Sequence, residues 1–309
     1  MRFSVVKKER GKIASSIISS PYLSSDWGVR FLSSSSKYYD PLSYNNGAVW
    51  PFLTGFASLA LYRYDNPFHA YSLLKENLRI IRDFDYGYAT ELLSGEYYIP
   101  LEQSVNNQIW SYGTTVSSFV EGMIGFSPNV LTKEIVFNPK IPLSISELNV
   151  DNLRAGKNGR INFYYSFKGK EILYKFSIEN LKGFSFKFKP VFFGNILNVS
   201  SSCPERAGMI TVTSDNLRCE LRYEISDYAF PLSFNDKKYG ENSKNPIINK
   251  FKLLSDGFYF EVWGKGEEKV KILSDKNFEC KGLTVVSKSL LVDFGNDWSL
   301  KKVLCKFKR

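Results

Sequence analysis

Pro51-Phe52-Leu53-Thr54-Gly55-Phe56-Ala57-Ser58-Leu59-Ala60-Leu61 reads as a helix that opens on a proline and is apolar on most sides. Proline suits a first helical turn, where its missing N–H has no partner to lose. A helix apolar nearly all round is a buried one. Just downstream, Asn66-Pro67 restarts the chain as cap and first-turn residue. Phe68, Tyr71, Leu74, Leu78 and Ile81 then recur three or four apart, with Lys75, Glu76 and Arg79 between them. That is an amphipathic outer helix, and His69 falls on its surface. A third helix is expected from about Asn106 to Met123, with Ile109, Val116, Phe119, Val120 and Met123 inward and Gly122 and Gly125 at its end. Upstream, Ile13, Ile17 and Ile18 make a short apolar face that Pro21 ends. A buried helix paired with an amphipathic one is the unit of a two-layer helical toroid. Between the second and third helices, residues 83–104 form a long irregular stretch, and such stretches are usually functional.

From about Thr132 the apolar period becomes two. Ile161, Phe163, Tyr165 and Phe167 alternate with polar residues, as do Ile172, Tyr174, Phe176 and Ile178, and later Phe258, Phe260 and Val262. Turn signals such as Lys157-Asn158-Gly159, Lys168-Gly169 and Lys182-Gly183 separate them. Many strands at short spacing predict an antiparallel sandwich. The expected organisation is therefore a helical region over residues 1–130 and a β-rich domain over residues 131–309.

Charge follows the same division. Of the 41 Lys plus Arg and 31 Asp plus Glu, residues 1–130 hold 11 of each, so the net +10 belongs wholly to residues 131–309. Much of that lysine alternates with phenylalanine, as in Phe184-Ser185-Phe186-Lys187-Phe188-Lys189, the pattern of a solvated strand face. No nucleic-acid motif accompanies it, so no nucleic-acid partner is expected. The four cysteines, Cys203, Cys219, Cys280 and Cys305, include no C-x-x-C pair, and His69 is the only histidine. A zinc site is not expected, nor any other metal or cofactor. Buried free thiols are the expected cysteine state, with disulfides left open. No run reaches about 18 apolar residues, so no membrane span is expected. The stretch Met1 to Arg10 lacks the apolar run of a signal peptide, which points to a soluble chain of unassigned compartment.

Five motifs suggest a family. Asp26-Trp27-Gly28-Val29-Arg30, Tyr39-Asp40-Pro41, Tyr44-Asn45-Asn46-Gly47-Ala48-Val49-Trp50-Pro51, Thr90-Glu91-Leu92-Leu93-Ser94-Gly95 and Gln108-Ile109-Trp110-Ser111-Tyr112-Gly113 occur in this order. Together they make residues 20–130 resemble the (α/α)6-barrel glycosidases: glucoamylase, processing α-glucosidase and, nearest, the amylo-α-1,6-glucosidases of glycogen debranching. The resemblance implies the C-terminal part of an (α/α)6 toroid followed by an antiparallel β-sandwich-like domain, an α+β multidomain protein. It implies inverting hydrolysis of an α-glucosidic bond in an oligo- or polysaccharide. One carboxyl group protonates the leaving oxygen, and another, about 6.5–9.5 Å away, activates water.

In the family the base is a Glu in a loop before the last inner helix, which fits Glu91 first and Glu102 second. Trp27, Tyr44, Trp50 and Trp110 are candidate sugar platforms. Arg30, Asn46 and Gln108 carry groups suited to sugar hydroxyls, the alternative for Arg30 being an ion pair with Asp26 or Asp40.

The general acid that the resemblance implies has no counterpart in this chain. Six helical hairpins need roughly 350 residues. The expectation is a fragment whose N-terminal barrel portion is supplied from elsewhere. A non-catalytic carbohydrate-binding protein, or a structural β-sandwich protein derived from such an enzyme, is the alternative.

Overall fold

The computed structural model of the protein describes residues 6–84, 87–206, 209–232 and 237–308. Residues 1–5 of the N-terminal stretch, and residues 85 and 86 of the irregular stretch, lie outside them. The chain falls into two compact units. One comprises Met1–Met123, Pro231–Ile272 and Phe278–Arg309; the other comprises Ile124–Phe230 and Leu273–Asn277.

The expected (α/α)6 toroid is not present. Among the described residues strand accounts for 41% and helix for 19%. Among the described residues there are four α-helices, which cannot build six hairpins: α1 (Lys8–Ile18), α2 (Pro51–Arg63), α3 (Pro67–Asp83) and α4 (Ile109–Ser117). A π-helical turn, Ser118–Met123, continues α4. The strands among the described residues form five sheets. A barrel closes because helix covers helix; here strands from the end of the chain do much of the covering in the first unit. Phe68 on α3 packs on Phe251 of the strand Ile247–Leu254, ring centroids 4.9 Å apart.

That partner turns α3 from its expected orientation. Asn66 caps it, accepting from the His69 N–H at 3.3 Å, and donates onward to the carbonyls of Ile248 and Asn249. The buried stripe includes His69, Leu73, Glu76, Asn77 and Ile80, whereas Leu78 is exposed. His69 is thus a core residue and not a surface one, with Nε2 2.9 Å from the Ser24 hydroxyl. Glu76 is paired with Lys237 at 2.7 Å, both side chains buried.

The apolar face of α4 is also reversed. Ser111, Thr114 and Thr115 face inward, while Ile109 is 75% and Trp110 64% exposed and Val116 is exposed too. Gly55 of α2 explains the choice: a Cβ there would collide with Thr114. Backbone proximity then lets hydroxyls pair, Ser58 with Ser118 at 2.5 Å and Asn77 Nδ2 with Thr115 Oγ1 at 3.0 Å. These pairs lower the cost of a polar interface, although Ser111 Oγ and Asn77 Oδ1 are buried there without a hydrogen bond among the described residues.

One carboxylate joins distant parts of the first unit. Asp26 accepts from the Ser243 hydroxyl at 2.8 Å, from the Lys244 N–H at 3.0 Å and from the Asn245 N–H at 3.0 Å. Beside it, the Tyr98 N–H donates to the Glu241 carbonyl at 2.9 Å. The C-terminal strands of this unit form a sheet in the order Ile247–Leu254, Gly257–Gly264, Ser299–Phe307, Phe278–Cys280.

The second unit has two five-stranded sheets. One runs Glu147–Ala155, Gly159–Lys168, Glu171–Glu179, Asn216–Ser226, Asn195–Ser201. The other is mixed and not purely antiparallel, because Glu134–Phe137 pairs parallel with Ser185–Phe188. Phe137 stacks on Phe163 at 5.6 Å and on Phe186 at 5.1 Å. All four cysteines are bonded, Cys203 to Cys219 and Cys280 to Cys305, which corrects the expectation of free thiols. Strand register accounts for the second pair: Cys280 and Cys305 lie directly opposite.

Two stability tests follow from these contacts. Asp26→Ala strips the acceptor from three donors and should lower the unfolding free energy in urea by about 3 kcal/mol; a loss under about 0.5 kcal/mol would remove Asp26 as the tie. Burial pushes His69 down to about 3, from an ordinary value of 6.5. Between those values the unfolded chain binds the extra proton, so the stability that neutral His69 confers is present above pH 6.5 and is lost as pH falls toward 3. The expected slope is at most about 1.4 kcal/mol per pH unit. His69→Gln should flatten urea-derived stability in that window by this contribution, and identical slopes in the two proteins would contradict it.

Candidate functional site

Glu91 sits where the irregular stretch crosses the start of α4. Its N–H donates to the Val105 carbonyl at 2.9 Å. Thr90 and Leu92 on either side both bond the Ser104 hydroxyl. The segment is tied to α4 as well. The Gln108 N–H donates to Ala89 O, and Tyr112 accepts from the Ala89 N–H while its hydroxyl donates to Gly87 O. Single bridges from Arg30 to Val49, Val49 to Leu93 and Leu93 to Pro100 fix the strand-like crossings beneath.

These ties leave the Glu91 side chain little freedom, and it is 8% exposed. Tyr44 donates its hydroxyl proton to Glu91 Oε1 at 2.7 Å, and Gln108 Nε2 donates to the same oxygen at 3.1 Å. Among the described residues Oε2 receives no hydrogen bond. Both donors are neutral, so the carboxylate is held without being neutralised by a cation.

An aromatic wall adjoins it. Tyr44 meets Trp50 edge-on at 4.8 Å, Trp50 meets Phe52 at 5.7 Å, and Phe52 meets Trp110 at 6.0 Å. Trp50 is buried with Ala48, Leu92 and Leu101 beneath Tyr44, so it shapes the site from below. Phe52, which reads in sequence as one more apolar helix residue, is the ring that connects Trp50 to Trp110. Only its place directly after Pro51 hinted at the mouth of the helix.

Other sequence candidates lie elsewhere. Trp27 is fully buried among Val49, Ile80, Leu93 and Tyr98, and its indole donates to Ser94 O at 2.8 Å. It is a core ring with no face for a sugar. Arg30 is buried too, and it pairs with neither Asp26 nor Asp40: Nε donates to Gly95 O at 2.7 Å and Nη1 to Pro21 O at 2.8 Å. Asn46 is exposed, with its carbonyl taken by the Asp40 N–H. Glu102 is exposed in a turn. Among the described residues no three His, Cys, Asp or Glu side chains are grouped to hold a metal, and no helix is long and apolar enough to cross a membrane.

The chain matches no protein-family model and no curated protein.

The chemistry of the cluster is measurable at Tyr44. Its hydrogen bond to Glu91, then partial desolvation and the carboxylate charge, hold its phenol above the ordinary value of 10. Glu91→Gln removes the charge and weakens the acceptor, so the Tyr44 titration followed by ¹³C NMR of the ring should fall back toward 10. An unchanged Tyr44 titration would show that the two groups are not coupled in solution.

Proposed function

We propose that Glu91 is the water-activating base of a saccharide site, and that it serves glycosidic-bond hydrolysis in an oligo- or polysaccharide. The observation that carries the reading is the asymmetry of its carboxylate. One oxygen is fixed by Tyr44 and Gln108, and the other is left for a water or a sugar hydroxyl. A general base needs that combination of fixed position and open lone pairs. Trp110, exposed at the far end of the ring series Tyr44, Trp50 and Phe52, offers the apolar face of a pyranose a ring to stack on. The resemblance of residues 20–130 to the amylo-α-1,6-glucosidases supports the same role for Glu91.

Inverting hydrolysis also needs an acid across the sugar from the base. The reading assigns that acid to a polypeptide outside this chain. The same polypeptide would cover Ile109 and Val116, which are exposed on α4 and leave Trp110 to the sugar. The two disulfides support maturation in an oxidising compartment.

The test is turnover of α-glucosidic oligosaccharides by the assembly of this chain with the polypeptide that supplies the acid. Glu91→Gln should cut turnover by at least about 100-fold while saccharide affinity stays within about threefold. Turnover retained in that variant would sink the assignment to Glu91. Saccharide binding with no turnover by the unaltered assembly would favour a non-catalytic carbohydrate-binding protein instead.

A further inference from the structure

The first unit contains a cleft of about 610 Å³ that shares no lining residue with the Glu91 cluster. That volume falls within the range of small-ligand sites. Arg30 lines it, buried and held by the carbonyls of Gly95 and Pro21 and by the Tyr39 hydroxyl. None of these partners is a carboxylate, and among the described residues Arg30 makes no ion pair within 4.0 Å. Burial lowers its pKa, and Tyr39 with the charges of Asp26 and Glu96 offsets this only in part. A buried cation with no anion in contact is costly, and a bound anion would relieve it.

The rest of the lining has the same sign. Lys244 and Lys265 add two cations, and Glu96 is the one acid in it. Lys244 reaches Glu241 at 3.5 Å, while Lys265 has no ion pair among the described residues. Charge alone would suit any anion, but the cleft also carries the Trp298 and Tyr39 rings and the Asn242 and Asn296 amides. Rings and amides are what a sugar needs: an apolar face to stack on, and groups that both donate to and accept from hydroxyls.

The rims are fixed in advance. Asp26 binds Ser243 and the N–H groups of Lys244 and Asn245 on one side. On the other, the Gly266 N–H donates to Gly295 O at 2.7 Å, and the Phe294 N–H returns to Gly266 O at 2.8 Å. Gly266 has φ +70°, a conformation that favours glycine and lets the Lys265 turn close against the 294–298 loop. Preorganised rims reduce the ordering cost of binding.

We propose that this cleft binds an acidic saccharide unit, a hexuronate, with its carboxylate toward Lys244 and Lys265 above Arg30 and its ring against Trp298. The site is independent of Glu91 and stands whether or not the chain takes part in hydrolysis.

Calorimetric titration of the full chain with methyl glucuronide, methyl glucoside and inorganic phosphate tests it. The glucuronide should bind at least about tenfold tighter than either of the others, and more weakly as salt rises. Lys265→Ala and Trp298→Ala should each weaken it about tenfold. Trp298→Phe should restore most of the loss, and Trp110→Ala and Glu91→Gln should leave it unchanged. Lys265 lies exposed between the strands Gly257–Gly264 and Glu267–Ser274, so its replacement leaves the fold intact, and a circular-dichroism spectrum checks this. Glucuronide binding no tighter than glucoside, phosphate binding as tight as glucuronide, or full affinity in both alanine variants would each overturn the proposal.

Discussion

The Asp26 carboxylate is the contact on which the first unit depends. It gathers a hydroxyl and two backbone N–H groups from residues more than 200 positions away. It adds to the Asp26 N–H, which donates to Ser243 Oγ at 3.0 Å, and to the Tyr97–Asn242 bridge in holding the 242–245 segment. With it, the strands that follow are delivered onto α3, and α3 must turn His69 and Glu76 inward to meet them. Burying those two groups is tolerable because each finds a partner, Ser24 for the imidazole and Lys237 for the carboxylate. The same tie forms one rim of the Arg30 cleft. A single interaction thus sets a helix orientation and a binding surface at once.

A second choice, the polar face that α4 turns toward α2, sets the candidate site. Packing through Ser111, Thr114 and Thr115 brings the helix start close enough for Gln108 and Tyr112 to hold the 87–91 segment. It also pushes Ile109, Trp110 and Val116 outward. Had the apolar face packed inward, as its composition predicts, Trp110 would be in the core and Glu91 would lose one of its two donors. Exposure of the strip and fixation of the carboxylate are therefore consequences of the same interface.

How much of this was legible follows from how local each cause is. Pro51 and the Asn66-Pro67 pair announce the starts of α2 and α3, because capping and first-turn chemistry act within a few residues. Strand alternation at Ile161, Phe163 and Tyr165 is equally local, and all three side chains are buried. The burial of His69 and Glu76 was not legible, since residues 237 to 251 that cover α3 are far along the chain. The toroid expectation rests on one buried and one amphipathic helix and on the motif resemblance, and a covering sheet satisfies that helix pairing as well as a ring of helices. Within the site, Tyr44, Glu91 and Gln108 stood out as polar groups in separate motifs, and folding brings them into contact. Trp27 and Arg30 belonged to an equally conspicuous motif, yet the core and the neighbouring carbonyls took them. Nothing in residue type separates a sugar platform from a core tryptophan; only the partners do.

The proposed saccharide site runs from Glu91 along the Tyr44, Trp50, Phe52 and Trp110 rings. The most direct measurement is the set of five tryptophan indole N–H resonances, one per Trp in the sequence, followed by NMR during titration with maltotriose. The account predicts a saturable shift of the Trp110 signal, a smaller one at Trp50 beneath it, and a Trp27 signal that does not move. A Trp110 resonance unmoved at tens of millimolar saccharide, or one that moves no more than Trp27, would contradict it.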